Sequence, residues 1–169
     1  MGLFNKIGKA LDILLTEENA NYTKGVEFEK YVVDLINKST YFSIVDWTRD
    51  LSDKHSGVEV ESDHGPDLIV RHKITNDKIA IECKFRSNLY GDKLAWTVPD
   101  KLEEYNHYSR ENKIPMFVVI GLGGQPTSPG RMFCIPLWEA KYPELYPSVF
   151  ERYERSPDKS FFWKDNILR

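Results

Sequence analysis

Glu82 and Lys84 stand two residues apart in the alternating run Ile79-Ala80-Ile81-Glu82-Cys83-Lys84-Phe85. A β-strand sends residues i and i+2 to the same face, so this carboxylate and this ammonium project together, about 7 Å apart along the strand. Ile79, Ile81, Cys83 and Phe85 take the other, apolar face. Upstream, Gly65-Pro66 marks a turn, Asp67 opens the apolar run Leu68-Ile69-Val70, and Thr75-Asn76-Asp77 is a second turn signal. A hairpin folded across that second turn brings Asp67 alongside Glu82 and Lys84. Two carboxylates about 4 Å apart repel by roughly 4 kcal/mol at an effective dielectric of about 20. Left alone, one of them would take up a proton. A bound divalent cation removes the repulsion, and oxygen-only ligands suit Mg²⁺ or Mn²⁺ rather than zinc.

Phosphodiester hydrolysis needs what such a cluster offers. A metal ion withdraws charge from a phosphoryl oxygen and acidifies a water. An ammonium one step along the strand can hold that water and stabilise the pentacovalent phosphate, and Lys84 is placed for it. Its charge also helps keep the two acids ionised. The ordinary alternative is an Asp at a turn and a Glu–Lys pair on a solvated strand face.

Pro66-Asp67 followed across a hairpin by Glu82-Cys83-Lys84 resembles the PD-(D/E)XK nuclease superfamily, which includes restriction endonucleases and Holliday-junction resolvases. The resemblance covers roughly residues 25–121. It implies an α/β fold with a restriction-endonuclease-like αβββαβ core, and metal ligation by Asp67, Glu82 and the Cys83 backbone carbonyl, with Lys84 assisting attack. Many members add a glutamate from the first core helix. Helical spacing favours Glu29, whose neighbours three, four and seven residues on are Val32, Val33 and Ile36, over Glu27, which looks towards Lys30 and Asp34. Some relatives carry a glutamine and a tyrosine one helical turn apart; here Lys101 stands in the glutamine place, with Tyr105 four residues later. The implied activity is a Mg²⁺- or Mn²⁺-dependent endonuclease acting on DNA through metal-activated water. Because relatives often cut duplexes as dimers, the resemblance also admits a homodimer. The competing reading is a catalytically inactive nuclease-like module that binds nucleic acid or a partner protein.

Other residues near the motif suit nucleic-acid contact. Arg86, Lys93 and Trp96 follow the Glu82 strand and could hold a backbone or stack a base, as could Lys101 and Tyr105; an ordinary surface loop is the alternative for the first three. His64 could reach a phosphate or simply be exposed. Glu59, Glu61 and Asp63 form an acidic edge that is either a second metal site or a solvated strand face. His72 and His107 read as surface residues.

The elements that position these groups follow from periodicity. Leu3, Ile7, Leu11, Leu14 and Leu15 predict a short amphipathic helix docked on the body, or else a membrane-surface or partner-binding helix. Thr16–Lys24 reads as a linker. Phe28, Tyr31, Val32, Leu35 and Ile36 give the next helix, 25–37, its core-facing stripe. Tyr41–Trp47 alternates as a strand, and 48–56 is loop-like. Thr97 as cap and Pro99 in the first turn begin a helix that ends at Asn112-Lys113. Met116–Ile120 and Met132–Leu137 are strands, with the glycine- and proline-rich 121–130 as a connecting loop. The tail is expected to wrap the core as one helix plus irregular structure. The result is a mixed sheet flanked by helices, divided as an N-terminal helix and linker (1–24), a nuclease-like core (25–137) and an aromatic-rich extension packed on it (138–169).

Whole-chain properties agree with a packed domain. At 169 residues with 41% hydrophobic and 13% aromatic content, the chain can bury one sizeable core. A net charge of −3 means that nucleic-acid binding must come from a local patch. Cys83 and Cys134 lack metal-like spacing and read as buried, reduced thiols. No signal peptide or spanning apolar run is evident, so a cytoplasmic location is expected.

Overall fold

The computed structural model describes residues 3–48 and 65–169. His64, Glu59, Glu61, Asp63 and most of the 48–56 loop lie outside the described residues. A helix α1 (Leu3–Asn37) leads into strands β1 (Phe42–Trp47), β2 (Leu68–His72) and β3 (Lys78–Arg86). A two-residue strand β4 (Leu94–Ala95) precedes helix α2 (Pro99–Asn112), followed by β5 (Met116–Gln125) and β6 (Ser128–Pro136). The tail adds β7 (Glu144–Leu145), a four-residue helix α3 (Pro147–Phe150), β8 (Glu154–Arg155), β9 (Trp163–Lys164) and β10 (Ile167–Leu168).

The main sheet has six strands in the order β1-β2-β3-β5-β6-β8. β1, β2 and β3 are antiparallel neighbours, and β3 pairs in parallel with β5. A parallel neighbour cannot be reached by a tight turn, and α2 supplies the crossover. The α/β mixed sheet and the αβββαβ order expected from the sequence are both present.

Period two on β3 sorts the core into two layers. Ile79, Ile81, Cys83 and Phe85 pack with Phe28, Val32, Leu35 and Ile36 of α1. Ala80 faces the other way, into a cluster with Leu102 and Tyr105 of α2 and Val118 and Ile120 of β5. Because β3 is central and covered by a helix on each side, any polar group on it is shielded from water. Both cysteines are free and buried, as expected.

Several local expectations are corrected. The linker 16–24 is helical, and α1 runs unbroken for 35 residues. No proline or glycine interrupts 16–24, and the Thr16 and Thr23 hydroxyls bond back to the carbonyls of Asp12 and Asn19 at 2.6 and 2.9 Å. Of the apolar stripe ahead of it, the described side chains of Leu11, Leu14 and Leu15 are each more than half exposed. The 121–130 segment is a continuous hairpin of β5 and β6 rather than a loop. Its glycines serve packing and backbone shape: a Cβ on Gly121 would fall 2.5 Å from the Phe28 ring, and Gly123 and Gly124 sit at φ of 67° and 68°. Helix α2 is capped by Val98 with no side-chain bond, one residue later than the Thr97 cap expected, although Pro99 opens it and Lys113 ends it in a left-handed conformation. His72 is buried, against the surface reading: its Nδ1 lies 2.9 Å from the Thr75 hydroxyl and its ring 5.5 Å from that of Phe42. The tail holds one short α-helix, α3, and irregular stretches, as expected, to which four two-residue strands are added, with Phe150, Phe161 and Leu168 buried in the core.

Candidate active site

The β2–β3 register fixes the centre. Leu68 pairs with Ile81, so Asp67, one residue before, lies opposite Glu82. The Asp67 N–H points to Glu82 Oε2 at 3.3 Å, and Asp67 Oδ2 accepts the Cys83 N–H at 2.8 Å. From the other side, the Thr48 N–H donates to the Asp67 carbonyl at 3.1 Å and the Thr48 hydroxyl to the Pro66 carbonyl at 2.7 Å. The Pro66-Asp67 turn is therefore pinned to β1 and β3 together.

Glu82 is 3% exposed. Its Oε1 accepts two donors, Lys84 Nζ at 2.5 Å and the Tyr105 hydroxyl at 2.7 Å. Tyr105 comes from α2, and its ring stacks on Trp96 with centroids 5.9 Å apart. The donors matter because a buried carboxylate without them would be strongly destabilising.

Electrostatics mark the same cluster. Burial, then the neighbouring charges of Glu82 and Glu29, push Asp67 up to about 7, against the opposing pull of Lys84 and the Cys83 N–H. For Lys84, burial works against the charged form, but Glu82, Tyr105 and Asp67 outweigh it and hold the ammonium above its ordinary value. Burial and Glu82 push the Tyr105 hydroxyl upward, which leaves it a donor. Carboxyls shifted this far cluster where charge is to be handled.

Glu29 is buried, at 1% exposed, and Glu27 is exposed, the side preference expected from helical spacing. Its Oε1 accepts the Trp47 indole N–H at 2.5 Å. Trp47 was not anticipated in this role; its position at the end of β1, paired with Leu68 next to Asp67, is the signal that could have indicated it. Among the described residues, no three His, Cys, Asp or Glu groups converge to hold one ion. Glu29, Asp67 and Glu82 each have at least one oxygen held by a protein donor. The donor set, carboxylate oxygens without sulfur or imidazole side chains, is still the kind that a hard divalent cation takes.

The nucleic-acid candidates fare differently. Arg86 is turned inward: its Nε donates to the Ala95 carbonyl at 2.6 Å and its two terminal nitrogens to Phe85 and Trp96 carbonyls at 2.9 and 2.7 Å. It braces the β3–α2 connection, with three of its five N–H donors held by backbone carbonyls. Trp96 is completely buried, with its indole N–H on the Tyr142 carbonyl at 2.8 Å, so it cannot stack a base. Both were expected on a surface, and their partners are too distant in sequence to read locally. Lys93 lines a separate groove, 3.4 Å from Glu144 and 5.0 Å from the Tyr146 ring centre. Lys101 is paired along its own helix with Glu104 at 2.6 Å. Tyr105 serves Glu82 instead of facing solvent.

No protein-family model matches the chain, and no curated protein matches it. Among solved structures it is similar to Hjc, a Holliday junction resolvase from the archaeal hyperthermophile Archaeoglobus fulgidus, at 18% identity and a TM-score of 0.54. The similarity covers 76% of this chain and 93% of the resolvase. At this identity the likeness is one of fold: the chain shares with the resolvase a mixed, restriction-endonuclease-like α/β sheet flanked by helices.

Proposed function

We propose that this protein is a metal-dependent nuclease that hydrolyses phosphodiester bonds in DNA. The observation that carries the reading is the meeting of Asp67, Glu82 and Lys84 across two strands, with Asp67 pushed up to about 7 by burial and by Glu82. The fold shared with a junction resolvase supports the choice of DNA.

Asp67 and Glu82, joined by the Cys83 carbonyl and Glu29, are the oxygen donors that would hold Mg²⁺ or Mn²⁺. When bound, the ion supplies positive charge at a phosphoryl oxygen and acidifies water. Lys84 keeps its proton, since the adjacent carboxylates raise its affinity for one. It therefore acts by donating hydrogen bonds, to the attacking water and to the non-bridging phosphate oxygens that gain charge as that water attacks opposite the leaving oxygen. Tyr105 orients Glu82 from α2, and Trp47 orients Glu29 from β1. The buried floor of the site keeps bulk water from screening these charges.

Calorimetric titration with Mn²⁺ and cleavage of a labelled four-way junction and a labelled duplex test the reading. Asp67→Asn and Glu82→Gln are each expected to weaken Mn²⁺ binding and abolish cleavage. Wild-type rates in Glu82→Gln, or cleavage indifferent to chelation, would overturn it.

A further inference from the structure

A cleft of about 430 Å³ opens beside the centre, walled by Asp67 and Lys84 on one side and by Asn21, Lys24 and Gly25 of α1 on the other, with Ser87 at its rim. Two of its cations are committed elsewhere. Lys84 is bonded to Glu82, and the Arg86 guanidinium is spent on three backbone carbonyls. Among the described residues lining the cleft, Lys24 is the cation with a single, long side-chain bond. Its Nζ rests 3.4 Å from a neutral hydroxyl, that of Ser87, and both groups reach solvent. A long contact to a hydroxyl is readily exchanged for a charge-assisted bond to an anionic oxygen.

Gly25 points the same way by independent means. It sits inside α1, where glycine is disfavoured relative to alanine. Packing does not demand it: a Cβ there would meet nothing within 4 Å. The contrast with Gly121, whose Cβ would strike Phe28, is direct. What the missing side chain at Gly25 does is keep the cleft open between Lys24 and Asp67.

The geometry points to a phosphate-binding subsite made by Lys24 with Asn21 and Ser87, which holds the sugar-phosphate backbone of DNA next to the bond to be cut, while Gly25 leaves the gap through which that backbone passes. This rests on the nuclease reading and adds to it the group that anchors a neighbouring phosphate. Lys24 is a positioning residue: it fixes where the strand lies, and Lys84 handles the charge of reaction.

Fluorescence anisotropy of a labelled four-way junction and a labelled duplex, titrated with salt in a Glu82→Gln background, tests it. Lys24→Gln is expected to weaken binding about tenfold, the scale of one charged contact. The slope of log affinity against log salt should flatten by about 1, the signature of a lost phosphate contact. Lys24→Arg should keep both. Gly25→Leu should weaken binding by at least as much while its unfolding midpoint stays level or rises, an outcome that a purely structural role would not give. If Lys24→Gln and Gly25→Leu bind like their parent and the wild-type chain cuts DNA, this assignment falls and the nuclease reading stands. A parent that binds neither DNA, with a wild type that cuts neither, overturns both.

Discussion

The Tyr105 hydroxyl donates to Oε1 of Glu82 at 2.7 Å, the same oxygen that accepts Lys84. One helix residue thus helps fix the orientation of a buried acid of the site. Tyr105→Phe removes the donor and keeps the ring that stacks on Trp96. It is expected to cost about 1 kcal/mol in urea denaturation. It should also weaken Mn²⁺ binding by about tenfold, as loss of a group that orients a metal ligand does, which calorimetry measures.

Asp67 makes the metal-free protein sensitive to pH. Its native affinity for a proton is raised, from 3.8 to about 7, so the native state binds that proton more tightly than the unfolded chain does. The resulting stability is complete below the unfolded value and is lost as pH rises through about 7. Asp67→Asn, which can still accept the Cys83 N–H, should flatten this dependence. Above about pH 8 it should exceed wild type by about 1–2 kcal/mol in thermal melts without metal. A variant less stable than wild type there would contradict the electrostatic account.

Arg86 braces the backbone of the β3–α2 connection. Arg86→Ala strips donors from the carbonyls of Phe85, Ala95 and Trp96, and is expected to cost about 2–3 kcal/mol in denaturant titration. At temperatures where the variant remains folded, the salt slope of its DNA binding should match wild type, which distinguishes it from Lys24→Gln.

Gly121→Ala places a methyl against the Phe28 ring and should destabilise the fold by about 1–3 kcal/mol. Because the two positions touch, Phe28→Leu should recover part of that loss, a coupling that a double-mutant cycle reads out.

The sequence carried the central strand well, because alternation on β3 and the Asp67 turn are local patterns and the hairpin register follows from them. Glu29 was legible too, since helical spacing separates the buried face of α1 from the wet one. The fates of Arg86, Trp96 and Trp47 were not. Trp96 is fixed by Tyr142 and Trp47 by Glu29, and such distant partners leave no periodic trace. Composition misled at two places. Polar residues in 16–24 resembled a linker but continue a helix nucleated on either side, and the glycines of 121–130 resembled a loop but serve a hairpin.

At about 1.5 Å per residue, the 35 residues of α1 make a rod about 52 Å long. Leu11, Leu14 and Leu15 on its outer part are exposed, while Glu29 lies on the part that rests against the sheet. A load applied to the tip is therefore delivered as torque at the fulcrum, where a small rotation displaces the Lys24 ammonium relative to Asp67. A partner holding the outer leucines would gain leverage over the width of the cleft beside Asp67 without touching it.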